Sequence, residues 1–217
     1  MVLSMRRAEV VRDYGGVSAA DRRAERRRKL LTAGRQIWGE SGITDVTVRG
    51  VCSAAGLTPR YFYEQFPTRE SLIFAVSDDV RDETLQAFVA AGIGEPGSLR
   101  DKVRSAVKTF LDIIAADPHI HRIATSDLTS VPGLTEHRVQ VLDIITELVV
   151  EHAPDILGTD TPDPTELRRT ALFMVGGANQ IIESWLANPV EDTAELAAVC
   201  AELCVAVVRG VVRSAEL

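Results

Sequence analysis

The sequence predicts an all-α protein: an N-terminal three-helix unit of the helix-turn-helix type, followed by a larger helical body. Three observations carry this. Helix start and stop signals recur along the whole chain, whereas short alternations such as Ile43-Thr44-Asp45-Val46 find no partner strand. Tight turns join three short helical segments near the N-terminus. The charge is also split. Met1 to Phe66 holds 12 Lys and Arg against 7 Asp and Glu, and the remainder holds 12 against 24, within a net charge of −7.

Each element has its own punctuation. Ser18 with Asp21 caps a first helix that runs to Gly42 and presents Leu30, Leu31, Gly34, Ile37 and Trp38 on one face. Thr47 caps a second, short helix, in which Val48, Val51, Cys52 and Ala55 fall at i, i+3, i+4 and i+7, and Gly56 ends it. Thr58-Pro59 opens a third, with proline where a missing N–H costs nothing. Pro67-Thr68 stops that helix and starts a fourth, reaching Ala91. Ser98 with Asp101, Asp117-Pro118, Asp163-Pro164 with Glu166, and Asp192 with Glu195 open later helices. Ser130 to Gly133 reads as a turn, and Pro154 to Pro164 as the longest connection. About nine helices result, at ordinary lengths. The expected division is a basic extension over 1–20, the helix-turn-helix unit over 21–67 and the body over 68–217.

With 217 residues, 46% of them hydrophobic, the chain can bury a sizeable core. No run of roughly 18 apolar residues suggests a membrane span, and the N-terminus lacks the apolar stretch of a signal peptide. Three cysteines fit a reducing cytoplasm better than a disulfide framework. Phosphate loop, nucleophile elbow and HExxH pair are absent, so neither an enzyme nor a cofactor or metal is expected.

The third helix divides its aromatics. Phe62 and Phe66, four apart, are expected to pack inward on Val51, Ala55 and Leu57. Tyr61 and Tyr63 present hydroxyls outward. A basic unit with such a face suits a polyanion. Thr47 and Arg69 stand at helix starts, where backbone N–H groups also meet phosphate. Arg49 and Arg60 are placed to reach base edges. With Thr58, Pro59, Tyr61, Tyr63 and Gln65 they form the expected DNA-contacting set. Glu64 can accept from cytosine or pair with Arg60. The basic run Arg22, Arg23, Arg26, Arg27, Arg28 and Lys29, with Arg6, Arg7 and Arg12 before it, reads either as an arm on DNA or as a solvated helix face.

The stretch TVRGVCSAAGLTPRYFYEQFPTRESL resembles the DNA-binding signature of the TetR family of bacterial transcriptional regulators. Thr47, Ala55, Gly56, Leu57, Thr58, Tyr63, Phe66 and Leu72 fall at the matching spacings. Arg69 stands for the usual Lys, Cys52 for the usual Ala, and Tyr61 for a position commonly Gly or Thr. The resemblance implies double-stranded DNA with a near-palindromic operator as partner, a homodimer, a small apolar or amphipathic effector, and a role as repressor.

The body carries its own signs of assembly. In the last helix Glu195, Glu202 and Arg209 form one narrow polar stripe, so two apolar faces need cover, one of them from a second copy. Gly176-Gly177-Ala178 would let helices approach closely. Phe110, Phe173, Met174, Asn179, Gln180 and Glu183 are the expected pocket residues, although packing and solvent can each account for them singly. His119 and His121 face different sides of a helix and make poor joint metal ligands.

Overall fold

The capping chemistry sets where the helices begin. In a computed structural model describing residues 18–126, 128–158 and 161–214, nine α-helices and two 3₁₀ turns are joined without a strand among the described residues. The basic extension, with Arg6, Arg7 and Arg12, lies outside the described residues apart from Ser18 to Ala20.

Helix α1 (Ala19–Ser41) starts on a reciprocal capping box, Asp21 N donating to Ser18 Oγ at 3.0 Å and Ser18 N to Asp21 Oδ2 at 3.2 Å. A 3₁₀ turn at Ile43–Asp45 leads to α2 (Val48–Ala55), whose Thr47 Oγ1 accepts from Gly50 N at 3.1 Å. Gly56 ends α2 at φ 64°, a left-handed conformation that a side chain would strain. Helix α3 (Pro59–Tyr63) is a single short turn with proline in its first position. Its interior is as expected: Phe62, Phe66, Val51 and Cys52 are buried, with the two phenylalanine rings 5.8 Å apart. Loss of a buried phenylalanine costs about 3–5 kcal/mol, so Phe62→Ala should melt this three-helix head while the body stays helical, as paired melting curves of the two parts would show.

Helix α4 (Arg69–Gly94) leaves the head and runs into the body. There α5 (Leu99–Ala116) packs along both α4 and α9 (Thr193–Ser214), while α7 (Leu134–Leu157) packs along α8 (Pro164–Ala187). The short α6 (Pro118–Ala124) joins body to head by packing on α1. At that joint Trp38 Nε1 donates to Ser126 Oγ at 2.8 Å, Arg122 donates to the Glu40 carbonyl, and Arg35 meets Glu83 at 2.6 Å and Asp117 at 3.5 Å. Gly39 lies so close to His119 that an added Cβ would stand 2.4 Å from the His119 Cβ and 2.9 Å from its Cα.

Two expected boundaries move: α4 runs past Ala91 to Gly94, and α7 runs past Pro154. Pro154 does not open the connection but sits within the last turn of α7, which continues to Leu157. So near the end, proline forfeits a single bond, and Gly158 N–H still closes the helix on the Pro154 carbonyl.

Candidate nucleic-acid interface and body cavity

The exposed side of α2 and α3 gathers most of the predicted set. Arg49, Thr58, Pro59 and Arg60 are exposed, and Tyr63 is 58% exposed. Thr47 is exposed but occupied as a cap. Arg60 Nε donates to Glu64 Oε1 at 3.3 Å, so Glu64 is Arg60's partner in this structure. Tyr61 is 37% exposed, and the Arg26 guanidinium lies 4.8 Å over its ring.

Two members of the set turn away. Arg69 donates from Nε to the Val46 carbonyl at 2.5 Å and from Nη2 to the Ile43 carbonyl at 2.6 Å, with Glu70 at 3.5 Å from Nη1. Its fork is taken up in pinning the turn before α2 to the start of α4. Gln65 is half-buried, and its Nε2 is enclosed without a partner. Gln65 stands just past α3 and Arg69 opens α4, and at both places the side chain turns toward the head.

The basic run on α1 also splits. Arg28 and Lys29 pair with Glu25 on the solvated side. Arg23 Nη2 donates to the Glu64 carbonyl at 3.4 Å, and Arg27 lies 4.6 Å over the Phe66 ring. With Arg26, these residues reach α3.

Within the body, α4, α5, α7, α8 and α9 line a cavity of about 490 Å³, partly open to solvent and within the range of ligand sites. Its wall on α4 extends from Arg81 to Ile93, about 18 Å of helix. Phe88, Val107, Phe110, Leu142, Val149 and Met174 give it an apolar surface. The polar groups that reach it are few and mostly engaged: Arg81 with Asp78 and Asp82, Thr84 with the Val80 carbonyl, Lys102 with the Glu95 carbonyl, and His152 with the Leu148 carbonyl. Asp155, Thr170 and Asn179 also line it.

Of the expected pocket residues, Phe110, Met174 and Asn179 line this cavity, whereas Phe173, Gln180 and Glu183 do not. Phe173 is 68% exposed, and Gln180 lies seven residues on, along the same outer stripe of α8. Met174, Val175, Ala178, Asn179 and Ile182 make the inner stripe, one helical step round. The walls contributed by α4 and α7 carry no sequence signal of their own, because Leu85, Phe88, Leu142 and Val149 follow the same spacing as any buried helix face.

Both α8 and α9 carry exposed apolar residues. Leu172, Phe173, Val199 and Leu203 are exposed, and a Cβ added at Gly176, Gly177 or Gly210 would touch nothing within 4 Å. Cys200 and Cys204 are buried one helical step round α9 from Val199 and Leu203. Burial, then the neighbouring Cys204, pushes the Cys200 thiol up to about 11, and burial raises Cys204 as well. Neither is a thiolate at neutral pH, so both are weak nucleophiles.

Comparison with known proteins agrees with this architecture. The sequence profile described as bacterial regulatory proteins, tetR family, matches residues 30–76, and that described as the MftR C-terminal domain matches residues 97–210, more than half of the chain. The chain belongs to the tetR family. It is thus a DNA-binding transcriptional regulator. As a tetR-family member it is similar to the HTH-type transcriptional activator FasR of Mycolicibacterium smegmatis, 25% identical over 183 residues, which cover 82% of this chain and 80% of FasR. Among solved structures, a tetR-family regulator from Streptomyces coelicolor superposes with a TM-score of 0.67 at 19% identity, over 88% of each chain. FadR from Bacillus subtilis in complex with stearoyl-CoA superposes with a TM-score of 0.58 at 14% identity, over 82% of this chain and 97% of that one. For this tetR-family chain, no helix among the described residues is long and apolar enough to cross a membrane.

Proposed function

We propose that this chain is a homodimeric repressor of the cytoplasm whose hold on a near-palindromic operator is released by an apolar or amphipathic effector. Residues 21–67 bind DNA, and residues 68–217 bind the effector and dimerise. The observation that carries this reading is the course of α4. Its first turns build the head, with Leu72, Ile73 and Val76 buried, and its later turns, from Arg81 onward, line the cavity. Whatever fills the cavity therefore presses on the helix that holds the head. The long apolar wall suits an alkyl chain, the class of ligand bound by the Bacillus subtilis neighbour.

At the DNA, α3 enters the major groove, and half-sites lie about one turn apart, roughly 34–36 Å. Arg60 reads a base and Tyr63 holds a phosphate. Arg60→Ala should cost about 1–3 kcal/mol and relax one base position per half-site. Tyr63→Phe should weaken every sequence alike, since a phosphate contact carries no base information. Selection of bound sequences from a random DNA pool measures both. Unaltered preference in Arg60→Ala would refute this placement of α3.

For the effector, alkyl-chain ligands including stearoyl-CoA are screened by thermal shift, and each hit is titrated against the operator. A tenfold loss of operator affinity requires about 1.4 kcal/mol of coupling. Phe110→Ala and Asn179→Ala should lower effector affinity, and Phe173→Ala should leave it unchanged. Hits that stabilise the body without moving operator affinity would overturn the switch, and hits that raise operator affinity would overturn its sign.

A further inference from the structure

Helix α3 spans only Pro59–Tyr63, too short to hold its shape unaided. Its last carbonyls need donors, and its outward aromatics need something to fix their rings. Both come from α1. Arg23 Nη2 donates to the Glu64 carbonyl, a cation at a helix C-terminus. Arg27 covers the Phe66 ring. Arg26 lies over the Tyr61 ring with its Nε enclosed and without a partner, so this end of the side chain is held against the head. Tyr61 lies on the exposed side of the turn, 37% exposed, with Arg26 over its ring.

We propose that Arg26 is a positioning residue for DNA recognition: by stacking on Tyr61 it fixes the orientation in which that side chain meets the operator, and so sets base preference without touching a base. The basic run of α1 is then neither a groove-entering arm nor a solvated face at this point. It is a brace for the recognition turn. This inference rests on the reading that α3 enters the major groove.

The test uses the full chain and operators selected from a random DNA pool, with Arg26→Ala, Arg26→Met, Arg26→Lys, Tyr61→Ala and the double variant Arg26→Ala/Tyr61→Ala. A cation–π contact of ordinary strength corresponds to a roughly two- to thirtyfold effect. Arg26→Ala should lower the operator-to-nonspecific ratio within that range and shift preference at the same base positions as Tyr61→Ala. The double variant should be no worse than Tyr61→Ala, and Arg26→Lys should restore part of the loss. The salt dependence should keep its slope. Arg26→Met preserves the packing of the stem and separates loss of the cation from loss of the fold, which circular dichroism monitors. A uniform loss over all sequences with a slope smaller by about one would make Arg26 a phosphate contact and overturn the proposal. Losses that multiply in the double variant would overturn it as well. If Arg60→Ala leaves preference unchanged, the placement of α3 itself has failed. If Tyr61→Ala shifts preference and Arg26→Ala does not, only the brace has failed.

Discussion

Leu203→Asp is expected to turn a dimer into a folded monomer that has lost its operator. Leu203 is 49% exposed in the protomer and lies on α9 one turn from Val199, and Leu172 and Phe173 are likewise exposed on α8, which packs on α9. In the proposed twofold interface these residues meet their own copies, so one substitution places two carboxylates in an apolar contact. Each unpaired buried charge costs about 3–5 kcal/mol, which exceeds what a dimer at micromolar concentration can absorb. Without the partner head, the linkage between half-sites disappears, and operator affinity should fall by about 10²–10⁴. The protomer gives up little, since the leucine is half in solvent before assembly; its melting profile should keep its monomeric transition. Val207→Asp makes the contrast, because Val207 is more covered within the protomer and its replacement should harm the fold too. Sedimentation and a mobility shift read these outcomes. A Leu203→Asp protein that remains dimeric would remove α9 from the interface.

Gly39→Ala is the second large effect. In most helix interiors this exchange is favourable by about 0.5–1 kcal/mol. Here the new methyl would stand 2.4 Å from the His119 Cβ, 2.5 Å from its Cγ and 2.9 Å from its Cα. A rotamer change relieves none of the backbone contact, so α6 must withdraw from α1. Overpacking of this kind costs about 1–3 kcal/mol. The withdrawal also strains the Trp38–Ser126 and Arg122–Glu40 bonds that tie head to body. Stability should therefore fall, and the effector should lose much of its influence over the operator. Denaturant melts and operator titrations with and without ligand measure the two. A Gly39→Ala variant with full stability and full ligand response would show that the joint carries no signal.

Helix starts were legible in the sequence because capping is local chemistry. Ser18, Thr47, Thr68, Ser98, Asp117 and Asp163 each sit where their short side chains or a following proline demand. The inward pair Phe62 and Phe66 was equally legible, since four-residue spacing leaves one choice of face. Direction is harder where a residue stands at a boundary. Arg69 reads the same in sequence whether it faces phosphate or the carbonyls of Ile43 and Val46, and only the path of the preceding turn decides. On α8, apolar residues surround much of the helix, so Phe173 and Met174 differ by one step, and only Met174 turns to the cavity. The stacking of Arg26 on Tyr61 joins residues far apart in the chain, and no local pattern announces it.

The length of α4 has a mechanical consequence. Its 26 residues form a rod of about 39 Å. Tilting such a rod by about 5° about its cavity end carries the other end about 3.4 Å, the rise of one base pair. In a twofold pair, opposed tilts would add, and the two reading heads would part by about two base-pair steps on a duplex whose grooves recur every 34–36 Å. A displacement too slight to disturb the packing around the cavity is thus enough to put both heads out of phase with the double helix.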